Sequence, residues 1–307
     1  MMRKHLIALV ALAGLAAPAQ AAERQTVLTG LQATYSLAAD LAAGTAIDVA
    51  FAFPANMRME QQATWLEQKS RPDFVAAAAN ASAAIVLSRA WEGDPLYVWS
   101  RGANIRIVPI DASMPYNPKV TGIGVLARDN GKGALPWAWH SLSNAMRMAD
   151  IVAADLKALS PADAALVERN QVALKTTLQT LKTDYEGRFL DAGLPGLWAL
   201  TDRFAYLTQD FGLDVVGHTL ADTYDWAPED YARLAAEIKA RDAKVVVDWR
   251  KPKPEMEAAV AAAGAKLVVL ETMDPPARLA EGAVDARGFL AAMRRNLDAL
   301  DGAMRQK

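Results

Sequence analysis

Beyond residue 22 the chain carries two histidines, His140 and His218, and the whole sequence has no cysteine. These counts limit the chemistry at once. A thiolate nucleophile and a thiolate metal site both need cysteine, and three-histidine coordination needs one imidazole more than this segment has. No Ser/His/Asp spacing, phosphate-binding glycine pattern or nucleophile–base pair is recognisable, so no catalytic residue is assigned and the chain reads as a binding protein, not an enzyme. Thioethers, indoles, guanidinium groups and carboxylates remain. Met57 and Met59 are soft ligands suited to Cu(I), with Met146, Met148 and Met273 further candidates, although methionine at helical spacing also fills cores. Trp91, Trp137, Trp139 and Trp249 either line an aromatic cleft for an organic ligand or metal chelate, or pack against neighbouring loops. Arg58, Arg89, Arg203 and Arg250 can clamp an anion or pair with Glu60, Asp202 or Asp248. Asp202 is placed to cap a helix. His140 either faces a cleft or bonds to backbone, and His218 reads as surface.

These residues fall where a parallel sheet would present them. Apolar strand-like runs at 25–31, 46–53, 84–87 and 104–110 alternate with helical stretches, the pattern of an α/β unit with a parallel sheet. The run 46–53 reads as a buried strand. A second series follows, with strands at 196–200, 213–216, 244–247 and 266–270 between helices, and a last helix at 286–304. Between the series, Ser160-Pro161 opens one uninterrupted helix to about Phe189. Its roughly 29 residues span about 43 Å, enough to lie across the back of two domains. Ligands of open parallel sheets bind beyond the carboxyl ends of the strands. The ends carry Met57 to Glu60, Arg89 and Trp91, Asp111, Thr201 to Arg203, Asp248 to Arg250, and Glu271 with Met273. The central loop adds Trp137, Trp139 and His140.

With 307 residues, 52% hydrophobic, the chain is long enough for two domains with a core in each. The net charge of −2 and scattered basic residues give no nucleic-acid footprint. Residues 1–22 resemble a cleavable signal peptide: Arg3, Lys4 and His5, an apolar stretch from Leu6 to Ala17, then Ala19-Gln20-Ala21. That apolar stretch is shorter than the roughly 20 residues of a membrane span. Without a cysteine for lipid attachment, the expected location is the periplasm. The expected divisions are the leader at 1–22, an N-terminal α/β domain at 23–159, a bridging helix at 160–189 and a C-terminal α/β domain at 190–307.

Three segments resemble the periplasmic zinc/manganese-binding proteins of ABC importers, which have the TroA-like fold. Pro136-Trp137-Ala138-Trp139 with Ser143-Asn144-Ala145 is similar to that family's P-H-x-W…E-N-A. Thr201-Asp202-Arg203-Phe204-Ala205-Tyr206 with Phe211-Gly212-Leu213-Asp214-Val215-Val216-Gly217 is similar to H-D-A-F-x-Y…Y-G-L-x-V-V-G. Phe289-Leu290 to Asn296-Leu297-Asp298-Ala299-Leu300 is similar to the closing Y-x-x-x-M-x-x-N-L-x-x-L. The resemblance implies two α/β domains joined by one long helix, a metal ion held between them, a monomeric receptor, and an inner-membrane permease as partner. It also exposes departures. Met57, Trp137 and Thr201 stand at the positions of the family's three histidines, and only Glu271 keeps a possible ligand, at the carboxylate position. Indole and threonine hydroxyl are poor zinc ligands. The ligand expected from the resemblance is zinc or manganese, from the methionines Cu(I), and from the altered site a metal chelate or small organic anion. A protein that has lost its ligand and acts through partner contacts is the competing expectation.

Overall fold

A computed structural model of the chain describes residues 23–54, 56–68, 71–128, 131–221, 223 and 225–305; the expected leader at 1–22 lies outside the described residues. Among the described residues, short runs rich in Val, Ile and Ala form eight strands. β1 (Gln25–Thr29), β2 (Ile47–Phe51), β3 (Ala83–Val86) and β4 (Val108–Asp111) make one sheet in the order β2-β1-β3-β4. β5 (Leu197–Ala199), β6 (Val215–His218), β7 (Val245–Asp248) and β8 (Lys266–Val269) make a second in the order β6-β5-β7-β8. Every pairing is parallel. The two sheets repeat one topology: the first strand of each sits inside, the second outside it, and the third on its other side. The chain therefore reverses direction across the sheet between β1 and β3, and again between β5 and β7. At such a switch point the flanking loops diverge and leave room for a ligand.

The helices that cover the first sheet are α1 (Gln32–Ala42), α2 (Met59–Glu67), α3 (Pro72–Ala79), α4 (Leu96–Ala103) and α5 (Leu142–Leu159). A 3-10 turn at Pro161–Asp163 leads into α6 (Ala164–Asp191). The second half adds α7 (Ala205–Asp210), α8 (Pro228–Ala240), α9 (Pro254–Ala262) and α10 (Gly288–Met304). α6 has 28 residues and spans about 42 Å. Its buried residues Val167, Leu174, Leu178, Leu181, Tyr185 and Phe189 form one stripe at helical spacing. The expected architecture of two parallel-sheet α/β units joined by a long helix is present.

Four details differ from the sequence reading. The strand at 46–53 is shorter and is an edge strand, with Ile47 buried, Asp48 exposed and Val49 to Phe51 half-buried, because only β1 flanks it. α2 begins inside a segment read as loop: Gln61 accepts a hydrogen bond from the Arg58 backbone N–H at 3.1 Å and so starts a helix without the usual Ser, Thr, Asp or Asn cap. α4 has eight residues and includes Gly102, too short a run to show a helical period. The long helix opens with a tight turn, where the Ser160 hydroxyl donates to Asp163 at 2.7 Å and does not cap the helix itself.

One hydrophobic core runs through both halves. Val27, Ile85 and Leu37 belong to it on one side, Val245, Leu270 and Leu297 on the other, and Leu178 of α6 between them. The outer face of each sheet has its own smaller core, around Phe53, Leu66 and Phe74 in the first and around Trp198, Tyr231 and Val246 in the second.

Candidate functional site

The turn from Pro136 to Ser141 crosses from one sheet system to the other and is fixed to the loop after β8. The Trp139 indole N–H donates to the Thr272 carbonyl at 2.9 Å, and Trp139 is fully buried. His140 is fully buried too. Its Nδ1 lies 2.7 Å from the Arg203 carbonyl and its Nε2 2.8 Å from the Thr272 carbonyl, while its ring stacks on Phe204 at 4.9 Å. Burial is the larger influence on this imidazole and lowers its pKa to about 4 against the pull of the two carbonyls. The Ser141 hydroxyl caps α5 by accepting from the Asn144 N–H at 3.0 Å. Asn144 in turn bonds both the N–H and the carbonyl of Gly124. The loop after β8 is held on its own account: Met273 takes φ 55°, a left-handed conformation costly for a side chain that is also buried.

This frame brings five side chains together. Arg203, from the loop after β5, reaches across to Glu60 at the start of α2, with Nη2 2.5 Å from Oε1. The Arg203 guanidinium carbon lies 4.5 Å from the Trp137 ring centre and 4.2 Å from that of Trp249, in the loop after β7. Arg58, in the loop after β2, lies 4.2 Å from the same Trp249 ring. Arg203 and Trp249 therefore sit in the two loops that flank the switch point of the second sheet. These are cation–π distances. Three donors at this junction are buried and have no acceptor in the protein: Arg203 Nη1, Arg58 Nη1 and Trp137 Nε1. Arg250 approaches Trp249 more loosely at 5.3 Å and is exposed.

Three carboxylates border the cluster. Glu60 is engaged by Arg203. Asp248, whose pKa burial raises, accepts from the Trp249 and Arg250 backbone N–H groups at 2.7 and 3.4 Å. Asp274 is fully buried and accepts from the Met59 N–H at 3.1 Å, joining the loop after β8 to α2.

Other candidates lie elsewhere. Met59 is in the shared core and half-buried Met57 packs on the outer core of the first sheet. Met148 and Met273 are core residues, and Met146 is partly buried against the same core. Trp91 is half-buried against the same core, Arg89 is exposed and His218 is exposed. Thr201 is buried, and its hydroxyl accepts from the Arg203 N–H at 3.3 Å. Asp202 is half-buried, and its carbonyl accepts from the Ala205 N–H at 3.1 Å as α7 begins. Glu271, at the expected carboxylate position, is exposed and held by Arg295 of α10 through two bonds of 2.5 and 2.9 Å. The carboxylate at the junction is Asp274, three residues on, which sequence reasoning missed. Its only local signal was that it follows a strand end.

Among the described residues, no group of three or more His, Asp or Glu side chains could hold a metal ion. At the junction a guanidinium lies between two indoles, and a bare divalent cation would meet the charges of Arg203 and Arg58. The residues present do not fit direct coordination of such an ion.

A family model described as zinc-uptake complex component A, periplasmic, matches residues 48–303. No curated protein matches the sequence significantly. The fold is similar to that of an FpvC mutant from Pseudomonas aeruginosa, 21% identical, over 92% of this chain and 100% of that one, with a TM-score of 0.73. It is also similar to a cadmium-bound periplasmic metal-binding protein from Candidatus Liberibacter asiaticus, 15% identical, over 92% and 100% of the two chains, TM-score 0.70. Zn(II)-bound AdcA from Streptococcus pneumoniae is 18% identical over 92% of this chain and 58% of that one, TM-score 0.69. At these identities the likeness is one of fold.

Proposed function

The chain belongs to the family of periplasmic zinc-uptake component A proteins, and from that membership we propose that it is the solute-binding receptor of a metal-type ABC importer with an atypical site. It is exported by cleavage of the leader at 1–22, captures its cargo between the domains at 23–159 and 190–307, and delivers it to an inner-membrane permease. The observation that carries this reading is the junction of Arg203, Glu60, Trp137 and Trp249, built from the strand-end loops of both halves. Such loops are where parallel sheets hold ligands. The side chains at that junction bear on the cargo. Trp137 and Thr201 cannot replace imidazoles, and Met57 and Met59 pack into cores, so neither zinc nor Cu(I) finds a ligand set there. The cargo is a metal that arrives inside its own ligands, as a chelate. The test is uptake. Deleting the gene lowers cellular accumulation of a transported metal, and the intact gene restores it, while the purified mature protein shows no saturable calorimetric binding of zinc, manganese or Cu(I) salts.

The Arg203–Glu60 bridge also favours a second reading, an accessory protein whose cleft is closed by its own side chains and which acts through partner contacts. That reading expects unchanged uptake of every metal tested after deletion.

A further inference from the structure

Resting on the receptor reading, we propose that the junction is a carboxylate-binding site, with Arg203, Arg58 and Trp137 as donors and Glu60 as a resident carboxylate that the ligand displaces. The first support is the mismatch of donors and acceptors. Arg203 Nη1, Arg58 Nη1 and Trp137 Nε1 are buried without an acceptor in the protein, and Trp137 is only 7% exposed. Buried polar groups are nearly always paired, and leaving one unpaired is unfavourable. Three such donors around one aromatic cluster call for an acceptor-rich partner.

The second support is geometric. Glu60 Oε1 already sits 2.5 Å from Arg203 Nη2, so the site holds a carboxylate in the geometry of a charge-assisted bond. That carboxylate is replaceable: the Glu60 side chain is 44% exposed, whereas Arg203 is 13% exposed. The acceptor is exposed at the mouth and the donor lies within. Trp249 and Trp137 hold the guanidinium of Arg203 by their faces, leaving its in-plane N–H groups to define direction. The other two carboxylates do not compete in the same way. Asp248 accepts from backbone N–H groups, and Asp274, in the loop after β8, accepts from the Met59 N–H through Oδ2 while its Oδ1 is buried without a partner.

A carboxylate can come free or on the rim of a metal chelate, and the chemistry seen by the arginines is shared. Titration calorimetry of the mature protein with sodium citrate, zinc citrate and zinc chloride separates the sources. Saturable binding of citrate alone assigns a free carboxylate, and binding of zinc citrate only assigns a chelate; either supports the site. Arg203→Gln and Arg58→Gln then weaken binding about 10- to 100-fold and Trp137→Phe less, as loss of charged and neutral hydrogen bonds requires. Glu60→Gln binds several-fold more tightly, a gain that misfolding cannot imitate. Zinc chloride binding that is unchanged in Arg203→Gln overturns the proposal, as does the absence of saturation by either citrate probe. Lost metal uptake on gene deletion without citrate binding removes this proposal and leaves the receptor reading; citrate binding with unchanged uptake does the reverse.

Discussion

At the scale of single residues, the cleft is defined by groups that cannot move their charge elsewhere. His140 shows how tightly the frame is set. Both its nitrogens meet carbonyl oxygens, yet a neutral imidazole has one proton to donate. Burial lowers its pKa from the ordinary 6.5 to about 4, so the neutral ring is favoured in the folded protein. The unfolded chain then takes up the proton first, and the contribution of His140 is present above pH 6.5 and lost as pH falls towards about 4. The size expected is about 3 kcal/mol. Half-buried Asp94 acts with the opposite sign: desolvation raises its pKa to about 7, so its contribution grows as pH falls from about 7 through the ordinary carboxylate range. The wild-type profile sums the two. The informative measurement is therefore the difference in urea midpoint between wild type and His140→Gln at pH 7 and pH 4.5. The wild-type advantage should shrink at the lower pH. If it grows instead, the ring is held as an imidazolium donating to both carbonyls.

At the scale of elements, the strand-end loops were legible and their occupants only partly so. The alternation of apolar runs with helical stretches located all eight strands of the described residues, and Gly212 and Gly264 take left-handed conformations just past α7 and α9, where glycine commonly ends a helix. α2 and α4 escaped because nine and eight residues give too few turns for a period to show. In the site, Arg203 and Trp249 were readable from their place after β5 and β7. Asp274 was not, because nothing local separates it from Glu271; the difference is Arg295 on α10, which holds Glu271 away in a pair formed only by folding. The start of α10 packs tightly against α1. A side chain at Gly288 would lie 2.8 Å from both the Ala277 Cβ and the Gln32 Nε2. Gln32 is committed, donating to the Asp285 carbonyl at 2.8 Å and accepting from the Ala277 N–H at 2.6 Å. Gly288→Ala should therefore destabilise by about 1–3 kcal/mol through overpacking, seen as a lower urea midpoint. An unchanged midpoint would mean that α1 and α10 can separate without cost.

At the scale of the molecule, the two halves do not behave as free domains. Independent domains usually meet across modest, fairly polar interfaces that permit relative motion. Here one hydrophobic core passes from Val27 and Leu37 through Leu178 to Leu270 and Leu297. Polar ties close the remaining gaps: Asp274 accepts from Met59, and the Tyr206 hydroxyl accepts from the Leu126 N–H and donates to the Leu135 carbonyl. α6 contributes a buried stripe over its length and leaves no flexible linker between the halves. Opening the cleft by rotating one sheet against the other would have to split that core, exposing apolar surface at roughly 25 cal/mol per Å². Cargo entry then falls to the residues at the mouth, Glu60 foremost, rather than to a hinge. Two measurements follow from the same property. Calorimetric unfolding of the mature protein should give one transition with matching calorimetric and van't Hoff enthalpies, and adding citrate should raise its midpoint by mass action. Small-angle scattering with and without citrate should give the same radius of gyration within error. Two resolved transitions, or clear compaction on adding citrate, would show that the core is divided in solution and that capture proceeds by domain closure.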